Sequence, residues 1–144
     1  MSGTASARRI SRRALARKAR AILRRIGLGG DELSIRLVRD PEIHALNRDW
    51  RGKDRPTDVL SFSLREGKFG DVSRALGDVV ISLETAARQA AECRRSLADE
   101  VDRLLVHGIL HLAGYDHEVS PREERRMRRK ERELRGFLAR SDRQ

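Results

Sequence analysis

The chain has 144 residues, one domain's length, with 38% hydrophobic and only 3% aromatic content, so any core must be aliphatic. A single cysteine and the absence of an apolar run near the roughly 18 residues of a membrane span exclude a disulfide framework, a cysteine-based zinc module and a helical membrane protein. The net charge of +10 is divided: residues 1–28 carry +9, residues 121–144 carry +5, and the stretch between carries −4. Two basic arms around a mildly acidic centre suit a polyanion, RNA or DNA ahead of an anionic membrane.

Residues 1–7 are expected to be disordered, and residues 8–28 form a basic helix. Ser2 to Arg20 is acid-free and Arg-rich, as a transit peptide is, but Leu15, Ala19, Ile22, Leu23 and Ile26 fall on one helix face. That favours a helix docked on the domain, stopped by Gly29 and Gly30. Glu32 to Val38 alternates polar and apolar residues and predicts a strand. Asp40 as N-cap, followed by Pro41, opens a helix to about Trp50. Residues 51–57 read as a polar loop, residues 58–64 as a strand, and residues 65–76 as a connection. A short apolar strand over residues 78–82 follows. Leu83 to Cys93 is an Ala-rich helix, with Cys93 expected as a buried small hydrophobe. Ser96 starts a helix that runs to Ala113 and ends at Gly114, and Ser120-Pro121 caps a last, highly charged helix. The expected architecture is one α+β domain over residues 1–144, with a mixed sheet of three to four strands and about five helices.

The chemistry concentrates in the stretch from His107 to His117. His107 and His111 are four apart, so both rings leave one face of a helix about one turn apart. Gly114 lets the chain leave that helix in a left-handed conformation and swings His117 back toward its end. Three imidazoles converging with a fourth position open describe a catalytic zinc site at the end of a buried helix. A lone histidine on so apolar a helix would be read as a core residue; three of the chain's four at ligand spacing favour a metal. The H-x3-H-x5-H spacing is also that of long-motif zinc proteases. Those carry Glu after the first His as general base, where this chain has Gly108, so the peptidase reading loses its base.

The run His107-Gly-Ile-Leu-His-Leu-Ala-Gly-Tyr-Asp-His117 resembles the signature of the YbeY family of metal-dependent endoribonucleases and rRNA maturation factors. The resemblance extends upstream to Leu46-Asn47, Trp50-Arg51, the block Pro56 to Phe62, and Leu76 to Ser82, covering about residues 32–135. It implies zinc ligands at His107, His111 and His117, a functional arginine at Arg51, and a cytoplasmic enzyme. In that role it would cut single-stranded RNA in 16S rRNA 3′-end maturation and ribosome quality control. The implied partners are rRNA and ribosomal particles, with a ribosomal protein or GTPase among the candidates and no membrane. One departure is that the family has a strand before its first helix, for which few residues precede Arg8.

Zinc on three neutral histidines lowers the pKa of its water toward roughly 7. Either that water or a positioned 2′-OH would attack the phosphodiester, with His111 and Arg51 as the catalytic pair and Arg51 stabilising the charge that develops. Thr57 and Asp58 are expected to fix the loop that carries Arg51. Asp116 either orients a ligand imidazole or forms an Asx turn. Glu100 reads as exposed or helix-capping, and His44 as a surface residue. The alternatives are an RNA- or ribosome-binding assembly factor with a structural metal, and a zinc hydrolase of another substrate class.

Overall fold

The computed structural model describes residues 10–65 and 74–142. The expected start of the first helix near Arg8, the disorder of residues 1–7 and Phe69 lie outside them. Among the described residues the chain forms helix α1 (Arg12–Arg25), strand β1 (Glu32–Val38), α2 (Asp40–Arg51), β2 (Val59–Ser63), β3 (Ala75–Ser82), α3 (Leu83–Glu92), α4 (Leu97–Leu112) and α5 (Pro121–Asp142). This is the α+β architecture that the periodicity predicts, with five helices and a three-stranded mixed sheet.

β3 is the middle strand, parallel to β1 and antiparallel to β2. Because strand side chains alternate, Val79 and Ile81 face one side and Val80 the other. The first side holds the main core, where α1 (Leu15, Ile22, Leu23), α4 (Leu104, Leu105, Ile109) and α5 (Met127, Leu134, Leu138) meet. The second side is thinner: Ile43 of α2 packs on Val38, Leu60 and Val80. β3 is longer than the predicted 78–82 because Ala75 to Gly77 gain partners on β1 and β2, a pairing no local pattern reveals.

Several boundaries differ from expectation for local reasons. α1 ends at Arg25 with Ile26 as its C-cap, and Gly27, at φ +84°, turns the chain away two residues before the predicted Gly29–Gly30 stop. The N-cap of α2 is Arg39 rather than Asp40, and its N–H donates to Glu42 Oε1 at 3.3 Å. Asp40 acts across elements instead, its carboxylate accepting from Ser82 Oγ (2.6 Å), Thr85 Oγ1 (2.7 Å) and Arg88 Nη2 (2.8 Å). Burial pushes the Asp40 pKa up, but those hydrogen bonds outweigh it and hold the carboxyl below its ordinary range. Cys93 is exposed, because it caps the open end of α3.

Glu100 is the largest departure. It is fully buried, where an exposed or capping residue was expected. Arg95 Nη1 reaches its Oε1 at 3.0 Å, and Arg103 grips both oxygens, the shortest distance being 2.6 Å. Burial pushes its pKa up, yet the bonds and charge of Arg103 and Arg95 outweigh this and leave the carboxyl below its ordinary value. The carboxylate therefore stabilises the fold above the ordinary carboxylate range, and this is lost as pH falls through the lowered folded value. Glu100→Ala would strand two arginines that are each about a third exposed to water. The expected cost is about 2–4 kcal/mol in chemical denaturation at pH 7, diminishing as pH falls through the lowered folded value.

Candidate functional site

α4 is buried almost all round and lies closely against the sheet. Gly108 is the point of closest approach: a Cβ there would meet Val79 Cγ1 at 2.8 Å and Ser61 Oγ at 3.1 Å. Ser61 Oγ also donates to the Gly108 carbonyl at 3.0 Å. The position that carries a base in the zinc proteases is thus the packing contact of the helix, with no room for a glutamate.

On either side of this contact, His107 and His111 open into a cleft of about 410 Å3 between α4, β2 and the end of α2. The chain leaves α4 through Gly114, at φ +103°, a backbone few side chains tolerate. The turn that follows brings His117 to the same cleft, its ring centroid 5.2 Å from that of His107 and tilted by 57°. His117 Nδ1 is buried and has no hydrogen-bond partner among the described residues. His107 Nδ1 is bonded to Glu131 Oε2 of α5 at 2.8 Å, which leaves its Nε2 as the available nitrogen. Burial lowers the pKa of His111; Asp116 opposes this, while His107, Arg51 and His117 add to it. As the side chains stand, no three His, Cys, Asp or Glu among the described residues form a closed metal-holding set. The expected trio of His107, His111 and His117 shares one cleft. A buried imidazole nitrogen without a partner among the described residues, in a cleft shared with two further imidazoles, nevertheless fits a site that takes a cation.

Arg51 is the last residue of α2 rather than part of the following loop. Gly52, at φ +69°, caps the helix, and Asn47 Nδ2 donates to the Arg55 carbonyl at 2.9 Å, folding the loop back beside it. Asp58 is held at the head of β2: its Oδ1 accepts from the Val59 N–H at 2.7 Å and from Thr57 Oγ1 at 3.4 Å, and Gln89 Nε2 reaches its Oδ2 at 3.3 Å. Asp116 forms an Asx turn, accepting from the Glu118 N–H at 2.9 Å, while also lining the cleft. Arg51, Thr57, Asp58 and Asp116 therefore all border the histidines. His44 lies elsewhere, paired with Asp54 at 2.7 Å. Sequence reasoning missed Glu131. Its legible signal was a carboxylate between Met127 and Leu134, on the buried face of an otherwise charged helix.

Fold and cleft define a class: a small α+β enzyme domain whose histidine cluster opens beside an arginine-bearing helix end. A family model described as Endoribonuclease YbeY matches residues 3–138. An Endoribonuclease YbeY of Anaeromyxobacter sp. (strain Fw109-5) is 55% identical over 132 residues, covering 92% of this chain and 65% of that protein. One of Aquifex aeolicus (strain VF5) is 49% identical over 121 residues, covering 84% and 79%. This chain thus spans just under two thirds of the Anaeromyxobacter relative's length. The solution structure of a Thermotoga maritima protein superposes with a TM-score of 0.64 at 32% identity, covering 90% of this chain and 84% of that one. The chain belongs to the Endoribonuclease YbeY family, whose members are nucleases that hydrolyse RNA.

The lowered His111 pKa has a measurable consequence. In metal-free protein, the His111 imidazole signals should titrate in NMR below the ordinary 6.5. Since the unfolded state binds this proton first, metal-free stability should fall as pH drops below about 6.5. Titration of His111 at or above 6.5 would contradict its burial.

Proposed function

We propose that this protein is a zinc-dependent endoribonuclease specific for single-stranded RNA. It would act in the cytoplasm in rRNA maturation, the 16S rRNA 3′ end included, and in ribosome quality control, with rRNA and ribosomal particles as partners. A ribosomal protein or GTPase would bring it to its substrate. The observation that carries this reading is the meeting of His107, His111, His117 and Arg51 in one cleft of a YbeY-family chain.

His107, His111 and His117 would hold the ion, and a ligand set of imidazoles without carboxylates suits zinc. When bound, zinc supplies an acidified water near neutral pH and a Lewis acid for a phosphoryl oxygen. The rest falls to the chain. Glu131 fixes the His107 ring and its tautomer through Nδ1. Burial keeps His111 neutral and so able to bind a cation. Arg51 directs a planar, permanently charged fork at the phosphate oxygens and opposes the charge that builds there. Asp58 and Asn47 hold the segment that follows Arg51, so the distance between the arginine and the histidines is set by the fold.

Purified protein should contain about one zinc per chain by elemental analysis and cut a defined single-stranded RNA. His111→Ala should abolish cleavage. Arg51→Ala should lower kcat by roughly 100- to 1,000-fold with an unchanged melting temperature, because Arg51 is exposed. Cleavage unaffected by both changes would overturn the assignment. A metal needed for folding, with no turnover, would instead favour the assembly-factor reading.

The arms supply attraction. On α1, Arg13, Arg17, Arg20 and Arg24 form one exposed stripe, and on α5 Arg122, Arg125, Arg129 and Arg132 form another. None of these eight has an ion-pair partner among the described residues, whereas Arg126 and Arg128 are paired with Glu123 and Glu124. RNA affinity should therefore fall steeply with ionic strength. Replacing Arg125, Arg129 and Arg132 by Gln should flatten the slope of log K against log salt by about 0.7 for each phosphate that is no longer neutralised. An unchanged slope would remove α5 from the interface.

A further inference from the structure

Trp50 is the chain's only tryptophan and is 73% exposed. The other described aromatic rings are covered: Arg126 lies 4.2 Å over Tyr115, Arg25 lies 4.6 Å over Phe137, and Phe62 packs in the second core cluster. Trp50 meets the Phe62 ring in a T-shaped contact at 6.5 Å and 69°, while most of its own surface stays open. Single exposed apolar residues are common on proteins and need no explanation by themselves. The position of this one does. Trp50 directly precedes Arg51 and lies one turn beyond Asn47, and both of those line the cleft. Its support, Phe62, follows Ser61 on β2 and, because strand side chains alternate, points to the α2 side of the sheet, so Trp50 stands beside the cleft rather than in its lining.

A phosphodiester held beside the histidines and Arg51 brings with it two bases that have left their stacking partners. Bases of single-stranded RNA are commonly held on aromatic faces, an interaction indifferent to base identity. We propose that Trp50, held on edge by Phe62, is the stacking platform for an unpaired base next to the scissile phosphate. It acts as a positioning residue, and the inference rests on the endoribonuclease reading above. It predicts selectivity for unpaired over paired RNA with little preference among bases.

Because Trp50 is alone, its fluorescence reports on this site without ambiguity. The probe is a 2′-O-methyl oligonucleotide, which binds but lacks the free 2′-OH, titrated into the full chain. Emission should be quenched at saturation, less so when the oligonucleotide is abasic throughout. Trp50→Ala should weaken binding and raise KM by roughly tenfold, the size of a single base stack. It should leave kcat within about twofold and the melting temperature unchanged, while Trp50→Phe should recover most of the affinity. Oligonucleotide binding without quenching, or equal KM for wild type and Trp50→Ala, overturns the proposal. So does a concentration-dependent change in emission without RNA that sedimentation traces to dimers, because a second copy then covers the indole. Cleavage without quenching sinks the platform and spares the nuclease; quenching without cleavage does the reverse. No binding at all sinks both.

Discussion

The close approach of α4 to the sheet at Gly108 is the constraint on which the rest of the molecule depends. With only hydrogen between the helix backbone and the methyl groups of Val79, the helix is drawn into the core on nearly every side. A helix so placed cannot leave polar groups unsatisfied. Glu100, Arg103, His107 and His111 recur at intervals of three and four, so they form one polar stripe along it. Each position on that stripe is settled differently. Glu100 is gripped by two arginines, and His107 by Glu131. His111, which burial keeps neutral, comes last, where the stripe opens into the cleft. The site is the place where a buried polar stripe reaches the surface.

The other wall is fixed by a separate device. α2 begins with Asp40, whose carboxylate accepts from three groups near the start of α3, and Ser82 also caps α3 by accepting from the Thr85 N–H at 3.3 Å. An anionic group beside two helix N-termini also meets the favourable end of both dipoles. At its other end α2 closes on Gly52, with Arg51 as its final helical residue. The arginine therefore stands on a helix anchored at both ends, which costs less entropy to aim than a side chain on a free loop.

What could be read from the sequence follows the range of the interactions involved. β1 was legible to the residue because its alternation is local, and α4 because Ser96, the apolar run and Gly114 mark it. The pairing of His107 with His111 needs only helical geometry. Glu100 was misread because a lone carboxylate on a helix predicts exposure; its burial depends on Arg95 arriving from the preceding turn together with Arg103. Glu131 was missed because 24 residues and a helix crossing separate it from His107. Arg51 was placed on a loop because Gly52 and the polar residues after it blur the end of α2. The meeting of the three histidines in one cleft was legible, but the partners of their rings were not. Ring torsions answer to neighbours such as Glu131 and Glu118, which the motif does not contain.

The division of charge supports separate tasks for the arms and the cleft. The exposed arginines of α1 and α5 project away from the core, where the field of each reaches a polyanion over about 8–10 Å at physiological salt. On the proposed function they would attract any RNA and distinguish little. The cleft is balanced instead: Arg51, Lys53 and Arg55 face Asp58, Asp116 and Glu118. A uniformly basic cleft would hold a cleaved strand, with its new terminal phosphate, more tightly than the intact one. Acidic neighbours would limit that, and under the proposed function they would disfavour a phosphate that does not meet Arg51 in the right orientation. Under the proposed function, capture by the arms and discrimination at the cleft would make different demands on charge, and the sequence carries its excess arginines at the two ends, apart from the cleft.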